Sequence, residues 1–446
     1  MLRQGVTTIL GGNCGASLAP LVSGEDIEGL QRWVDVREIN INWQTFDELA
    51  SELEERAFGV NVATLVGFGT LRRGVLGVEG RAANSEEIRQ MKFLLERAFT
   101  DGAFGLSFHL GVGYEQAAEN LEIVELLGVA ALAKRFVKHH LEDEGLHLLP
   151  AISRVLTMSR GAAVRTHLSH FKALGRSAWE QFASALVMIE RAQEAGLALT
   201  LDFFPYTRTG SHLLHLLPEW ARVGNDAQIL ERLRNADGRR SVTEALRQLT
   251  LHYDRITIAS SQRNVFSVGK TIAILAENAG VSPEEVLIEL LIHNDLRVTV
   301  FNEVISPEHI QTLAAKPYAM VASDGVGHAR GAASPGDLPH PRSFGAFPRA
   351  LEWFTKEQPL LSWEEAIYKM TGFPALLLGI RDRGVLAPGA FADIVIFSPE
   401  ELSVPATYEN PYLPVKGITH VIVNGAVALE EGELPEKFSG KFLRSS

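Results

Sequence analysis

Thr7-Thr8-Ile9-Leu10-Gly11-Gly12-Asn13-Cys14 reads as a short β-branched strand that enters a glycine turn and ends at the chain's single cysteine. Three other stretches repeat the arrangement with other metal-binding side chains. Arg135-Phe136-Val137 leads into His139 and His140, Ala163-Val164-Arg165-Thr166 into His167 and His170, and Tyr318-Ala319-Met320-Val321 into Ser323-Asp324-Gly325. In a parallel (β/α)8 barrel the C-terminal ends of different strands meet at one mouth. Cys14, His140, His170 and Asp324 are therefore expected to converge there around a metal.

Further strands are expected at Val60 to Val66, Phe104 to Phe108 and Leu197 to Phe204, which brings the principal strands to seven, one short of a closed barrel. Ile256 to Ala259 and Val298 to Phe301 read as an excursion between the last two. Between the strands lie amphipathic segments whose starts carry capping patterns: Asn84 with Glu87, Ser177 with Glu180, Ser282 with Pro283 and Glu285, and Ser362 with Glu365. The class is α/β, a TIM-like barrel over residues 1–383. From Gly384 the composition changes. Ile394 to Phe397, and Val421-Ile422-Val423 before the turn Asn424-Gly425, predict a small β module over 384–446 that contains a hairpin.

Composition narrows the function. With 446 residues, 46% hydrophobic and 22% charged, the chain can bury a large core. A net charge of -12 argues against nucleic acid or anionic lipid as a partner. No apolar run is long enough to span a bilayer, the first residues lack the pattern of a signal peptide, and a single cysteine makes no intrachain disulfide. The expected compartment is the cytoplasm. Oligomeric state is left open.

A thiolate and two imidazoles suit zinc, and three protein ligands leave a fourth position for water, the form of a catalytic site. A carboxylate such as Asp324 beside that water can carry the proton that amide hydrolysis must move. Each residue also has an ordinary explanation. A buried cysteine packs as a small apolar residue, a buried histidine satisfies the core, and Ser-Asp-Gly is common turn chemistry.

The segment from Gly5 through Cys14 and Gly15 to Ser17-Leu18-Ala19-Pro20 resembles the cysteine motif of the N-acyl-D-amino-acid deacylases, the D-aminoacylases of the amidohydrolase superfamily. His140-Leu141-Glu142-Asp143-Glu144, Ser169-His170-Phe171-Lys172, Ser323-Asp324-Gly325, His340-Pro341-Arg342, Lys369-Met370-Thr371-Gly372 and the run from Arg383 to Asp393 follow in the family's order. The resemblance implies that Cys14, His140 and His170 hold a tightly bound zinc. It makes Asp324 the general acid/base and a ligand of a second, weaker metal, and it assigns substrate recognition to Lys172, Arg342, Tyr114 and Ser211. The implied reaction is hydrolysis of a small N-acyl-D-amino acid. A free α-carboxylate calls for fixed cations, and an arginine fork can grip both its oxygens.

Two departures matter. The family's first barrel strand ends in a His-x-His pair that serves the second metal, and no such pair precedes Cys14. The count of seven strands points to the same missing element, so the second site is expected to be incomplete, the chain is read as a truncated form, and the strands carrying Cys14 and Asp324 should border a gap. Glu142 also stands where the family often has arginine. The alternatives to an active deacylase are a metal-binding homologue without turnover, or an amidohydrolase acting on cyclic amides or dipeptides.

Overall fold

The computed structural model describes residues 1–30, 39–56, 58–77, 79–111, 115–249, 251–328 and 337–445. The barrel strands are β1 (Thr8–Gly11), β2 (Asn61–Thr64), β3 (Val66–Gly67), β4 (Gly105–His109), β5 (Phe136–His140), β6 (Arg165–Leu168) and β7 (Leu199–Phe203). The excursion contributes β8 (Arg208–His212), β9 (Ile256–Ser261) and β10 (Val298–Glu303), and the barrel resumes with β11 (Ala319–Val321). β1 pairs in parallel with β2, which continues through Leu65 into β3, and the order then runs β3-β4-β5-β6-β7-β11, all parallel. These are the expected strands. Among the described residues no ladder joins β1 to β11, so the gap falls where expected, between the strands that precede Cys14 and Asp324.

Parallel strands covered by helices bury both faces, and β4 is buried at every position. The period of two sorts the faces. Leu106, Phe108 and Val137 enter the core under the helices Ser85–Thr100 and Asn120–Leu132, and Leu199, Leu201 and Phe203 join a second core under the later helices. Lys138, His140, His167, Ser169 and Asp202 line the internal cavity instead. The same alternation settles the His139–His140 pair: His139 points outward and stacks on Phe108 at 4.8 Å between centroids, while His140 points in.

Capping boxes form at Asn84, Ser282 and Ser362 as expected, and also at Thr45 and Asn225. Ser177 does not cap. It lies inside the short helix Arg176–Trp179, whose N-cap is Gly175, because the left-handed Gly175 (φ 82°) has already turned the chain.

The excursion is a unit with its own core. β10 sits between β8 and β9 in an antiparallel sheet packed with four helices from Asp226 to His293. Near the C-terminus, β12 (Ile394–Phe397), β13 (Ile418–Val423) and β14 (Ala426–Glu430) form an antiparallel sheet. Its hairpin turns at Asn424 and Gly425, both left-handed (φ 51° and 83°), as a two-residue primed turn requires. Leu2 and Val6 pack into this module, and Phe442 returns to the barrel against Phe46 and Val62. No helix of the described residues is long and apolar enough to cross a membrane.

Candidate metal centre

A cavity of about 2280 Å³ opens at the barrel mouth and runs down the gap between β1 and β11. Cys14, His140, His170 and Asp324 all line it, with Lys172, Ser211 and Arg342. Cys14, His140 and His170 come together: one donor atom from each lies within 4.8 Å of the others. Cys14 Sγ is 3.6 Å from His170 Nε2, and the two imidazoles meet edge to face at 4.3 Å between centroids. Asp324 is outside this three-residue group and acts electrostatically on His170. Its carboxylate is held by Arg342, Nη1 to Oδ2 at 2.7 Å.

Local backbone explains the convergence. Cys14, His170 and Asp324 all have left-handed φ (52°, 33° and 47°), a conformation costing of order 1–3 kcal/mol for residues other than glycine and concentrated at functional sites. Each follows a strand and turns the chain across the mouth. His140 needs no such turn, because it ends β5 facing inward.

The electrostatics fit a bound cation. Burial, reinforced by His109, His170 and Lys172, drives the His140 pKa well below 6.5 and keeps its imidazole neutral. Its Nδ1 is buried with no hydrogen-bond partner. Burial and the Lys172 ammonium also oppose charge on His170, yet Asp324, Glu144 and Cys14 together prevail and raise it to about 10. A pocket whose anions hold a proton on a buried imidazole is one that a metal ion can occupy by displacing that proton. One soft sulfur and two imidazole nitrogens form a zinc-type donor set.

The expected substrate cations are already engaged. Lys172 Nζ lies 2.6 Å from Glu144 Oε1 and 2.8 Å from His170 Nδ1. Arg342 reaches Gly210 O at 3.3 Å as well as Asp324, and its guanidinium stacks over Phe204. Ser211, on β8, faces the cavity. Tyr114 lies outside the described residues. Glu142 pairs with Arg154, which balances its charge away from the ligands.

Sequence reasoning missed Glu144, which approaches His170 Nδ1 at 3.2 Å and His140 Nε2 at 3.8 Å. A carboxylate behind a ligating imidazole fixes its tautomer and orientation. The signal was a glutamate four residues after a candidate ligand histidine. His109, stacked on His140 at 3.6 Å, was missed as well: the expected strand Phe104 to Phe108 stops one residue before it.

A sequence profile of the amidohydrolase family matches residues 335–429. The chain is 30% identical to a D-aminoacylase of Alcaligenes xylosoxydans xylosoxydans, over 99% of this chain and 82% of that protein. It is also 30% identical to an N-acyl-D-glutamate deacylase of the same organism, over 99% and 80%. Among solved structures, the N-acyl-D-glutamate deacylase of Bordetella bronchiseptica, complexed with zinc and a phosphonate mimic of the tetrahedral intermediate, superposes with a TM-score of 0.82 at 28% identity, covering 100% of this chain and 84% of that one. Fold and kinship define a metal-dependent hydrolase of carbon–nitrogen bonds. More narrowly, the chain belongs to the D-aminoacylase family.

Proposed function

We propose that this chain hydrolyses the amide bond of N-acyl-D-amino acids, with one tightly held zinc on Cys14, His140 and His170. The carrying observation is the trio of donor atoms within 4.8 Å at the mouth of a D-aminoacylase-type barrel. Zinc bound there would bring the pKa of water towards about 7 and polarise the substrate carbonyl. Asp324 is the general acid/base and the remaining ligand of a weaker second site. It takes a proton from the attacking water and returns it to the departing nitrogen, so the hydroxyl ends on the acyl carbon and the amine leaves neutral. Arg342 fits this role because it holds Asp324 in place. Lys172, Ser211, Tyr114 and the outer edge of Arg342 receive the substrate, the two cations meeting its α-carboxylate.

A second reading, metal binding without turnover, is favoured by one observation: among the described residues no strand bridges β1 and β11 beside the site, and the β11 edge is met only by Lys369, whose O accepts the Val321 N–H at 3.1 Å and whose Nζ donates to Ala319 O at 3.1 Å. In that reading a further parallel strand must fill the gap before the site works.

Elemental analysis and a panel of N-acyl-D- and N-acyl-L-amino acids test both. The expected result is about one zinc per chain, lost in Cys14→Ser and retained in Asp324→Ala, with D-selective hydrolysis abolished in both. Equal zinc loss in the two variants contradicts the division of roles. Zinc without hydrolysis of any substrate supports the second reading.

A further inference from the structure

Beneath the three proposed ligands the barrel interior holds a buried polar cluster that the reaction does not use. Asp202, on β7, is buried, and its carboxylate is gripped on one oxygen by Lys138 Nζ at 2.8 Å and His167 Nε2 at 2.9 Å. His167 is anchored in turn through Nδ1 to Thr200 Oγ1 at 2.7 Å. The other oxygen, Oδ1, accepts the backbone N–H of His170. That N–H needs a special acceptor. Ser169 N still bonds across to His139 O at 2.8 Å, and Phe171 N bonds to Asp202 O at 2.7 Å, but the left-handed turn at His170 removes its own N–H from the ladder. A buried N–H left without a partner is costly, which works against the turn.

We infer that Asp202 is a positioning residue for the metal centre: by accepting the His170 N–H it holds the left-handed turn that aims the His170 imidazole at Cys14, with Lys138 and His167 fixing its carboxylate. Lys138 thereby neutralises Asp202, so the pair adds little net charge to the site above. The inference rests on the zinc reading proposed above, and it concerns this chain's own backbone geometry at His170.

The test separates the acceptor from the charge. In a Lys138→Met background, Asp202→Asn retains an oxygen for the His170 N–H, and its amide can pair with His167 once that ring changes tautomer. Asp202→Leu in the same background has nearly the same shape and no acceptor. Zinc dissociation constants are measured by competition with a chelator, and the cobalt-loaded proteins are compared by their thiolate-to-metal and d–d absorption. The K138M/D202N protein should keep zinc affinity and spectrum close to wild type. K138M/D202L should bind zinc about 10- to 100-fold more weakly, the usual effect of losing a residue that orients a ligand, with an altered cobalt spectrum and faster amide exchange at His170. If the leucine variant does not fold, K138M/D202A takes its place with the same readouts. Equal affinities and spectra for the acceptor and non-acceptor variants overturn the positioning role while leaving the zinc site intact. Failure of the wild-type protein to bind zinc overturns the metal reading itself, and the role of Asp202 with it.

Discussion

Cys14 reaches the centre because the turn around it is closed on both sides. Gly12 and Gly15 flank it in left-handed conformation, at φ 70° and 74°. Ser107 Oγ donates to Gly12 O and accepts from Gly15 N at 3.0 Å, so a single hydroxyl from β4 spans the cysteine turn. A Cβ on Gly15 would collide with Glu115 Oε1, and one on Gly12 with Leu65 O. Gly15→Ala combines that collision with an unfavourable φ. It should destabilise the metal-free protein by about 1–3 kcal/mol and weaken zinc binding, because a turn that relaxes its φ at Gly15 moves Sγ. Urea unfolding in chelator, paired with a zinc titration, checks both. A stable variant that has lost zinc would place the effect wholly in the turn. Unchanged binding would mean that the turn does not set the position of Sγ.

The helices Phe68–Leu76 and Asn120–Leu132 are joined by a buried ion pair, Arg72 Nε to Glu122 Oε1 at 2.6 Å, with both side chains 1% exposed. Burial raises the Glu122 pKa, with Arg72 opposing it. Arg72→Met strands that carboxylate and should cost about 3–5 kcal/mol, whereas Arg72→Met with Glu122→Leu should lie near wild type. Equal destabilisation of the single and double variants, read from unfolding midpoints, would show that the pair contributes mainly packing. Neither partner announces itself in the sequence, since an arginine or glutamate on a helix reads as surface. Elements with strong local signals were legible: the capping boxes at Asn84, Ser282 and Ser362, the Asn424-Gly425 hairpin, and strands of β-branched residues. β8 was not, because Arg208-Thr209-Gly210-Ser211-His212 has no apolar alternation and becomes a strand only by pairing with β10. At the site, residue types revealed Cys14, His140 and His170. Asp202 was hidden inside the run Leu197 to Phe204, and Lys138 between the run Arg135-Phe136-Val137 and the histidines, where the period of two turns every second side chain towards the cavity. At Cys14 the left-handed φ is not announced by the residue type, as it is at Asn424.

Across the whole molecule, stability against pH is a contest between buried histidines and a buried carboxyl. Burial pushes His109 and His139 down to about 3, and His340 well below its usual value, where Nε2–H donates to Arg208 O and Nδ1 accepts from Arg342 N. These groups take up protons more readily unfolded than folded, so their contribution is complete above about pH 6.5 and falls on acidification, by about 1.4 kcal/mol per pH unit for each fully shifted group. Glu115 has the opposite sign. Burial raises its pKa to about 8, against the N–H groups of His109 and Gly69 that it accepts. The folded state therefore keeps a proton that the unfolded chain loses near pH 4.3, and stability falls as pH rises from there through about 8. In the metal-free protein the raised His170 adds a decline of the same sign above about pH 6.5. The maximum should lie near pH 6.5. Glu115→Gln mimics the neutral carboxyl and removes only its own share, so the His170 contribution cancels when variant and wild type are compared. Denaturant titrations in chelator should show the wild type losing about 1.5 kcal/mol more than Glu115→Gln between pH 6.5 and 8. Parallel curves would mean that the two N–H donors outweigh burial and that Glu115 is ionised in the folded protein, leaving a fixed negative charge directly beneath the cysteine turn.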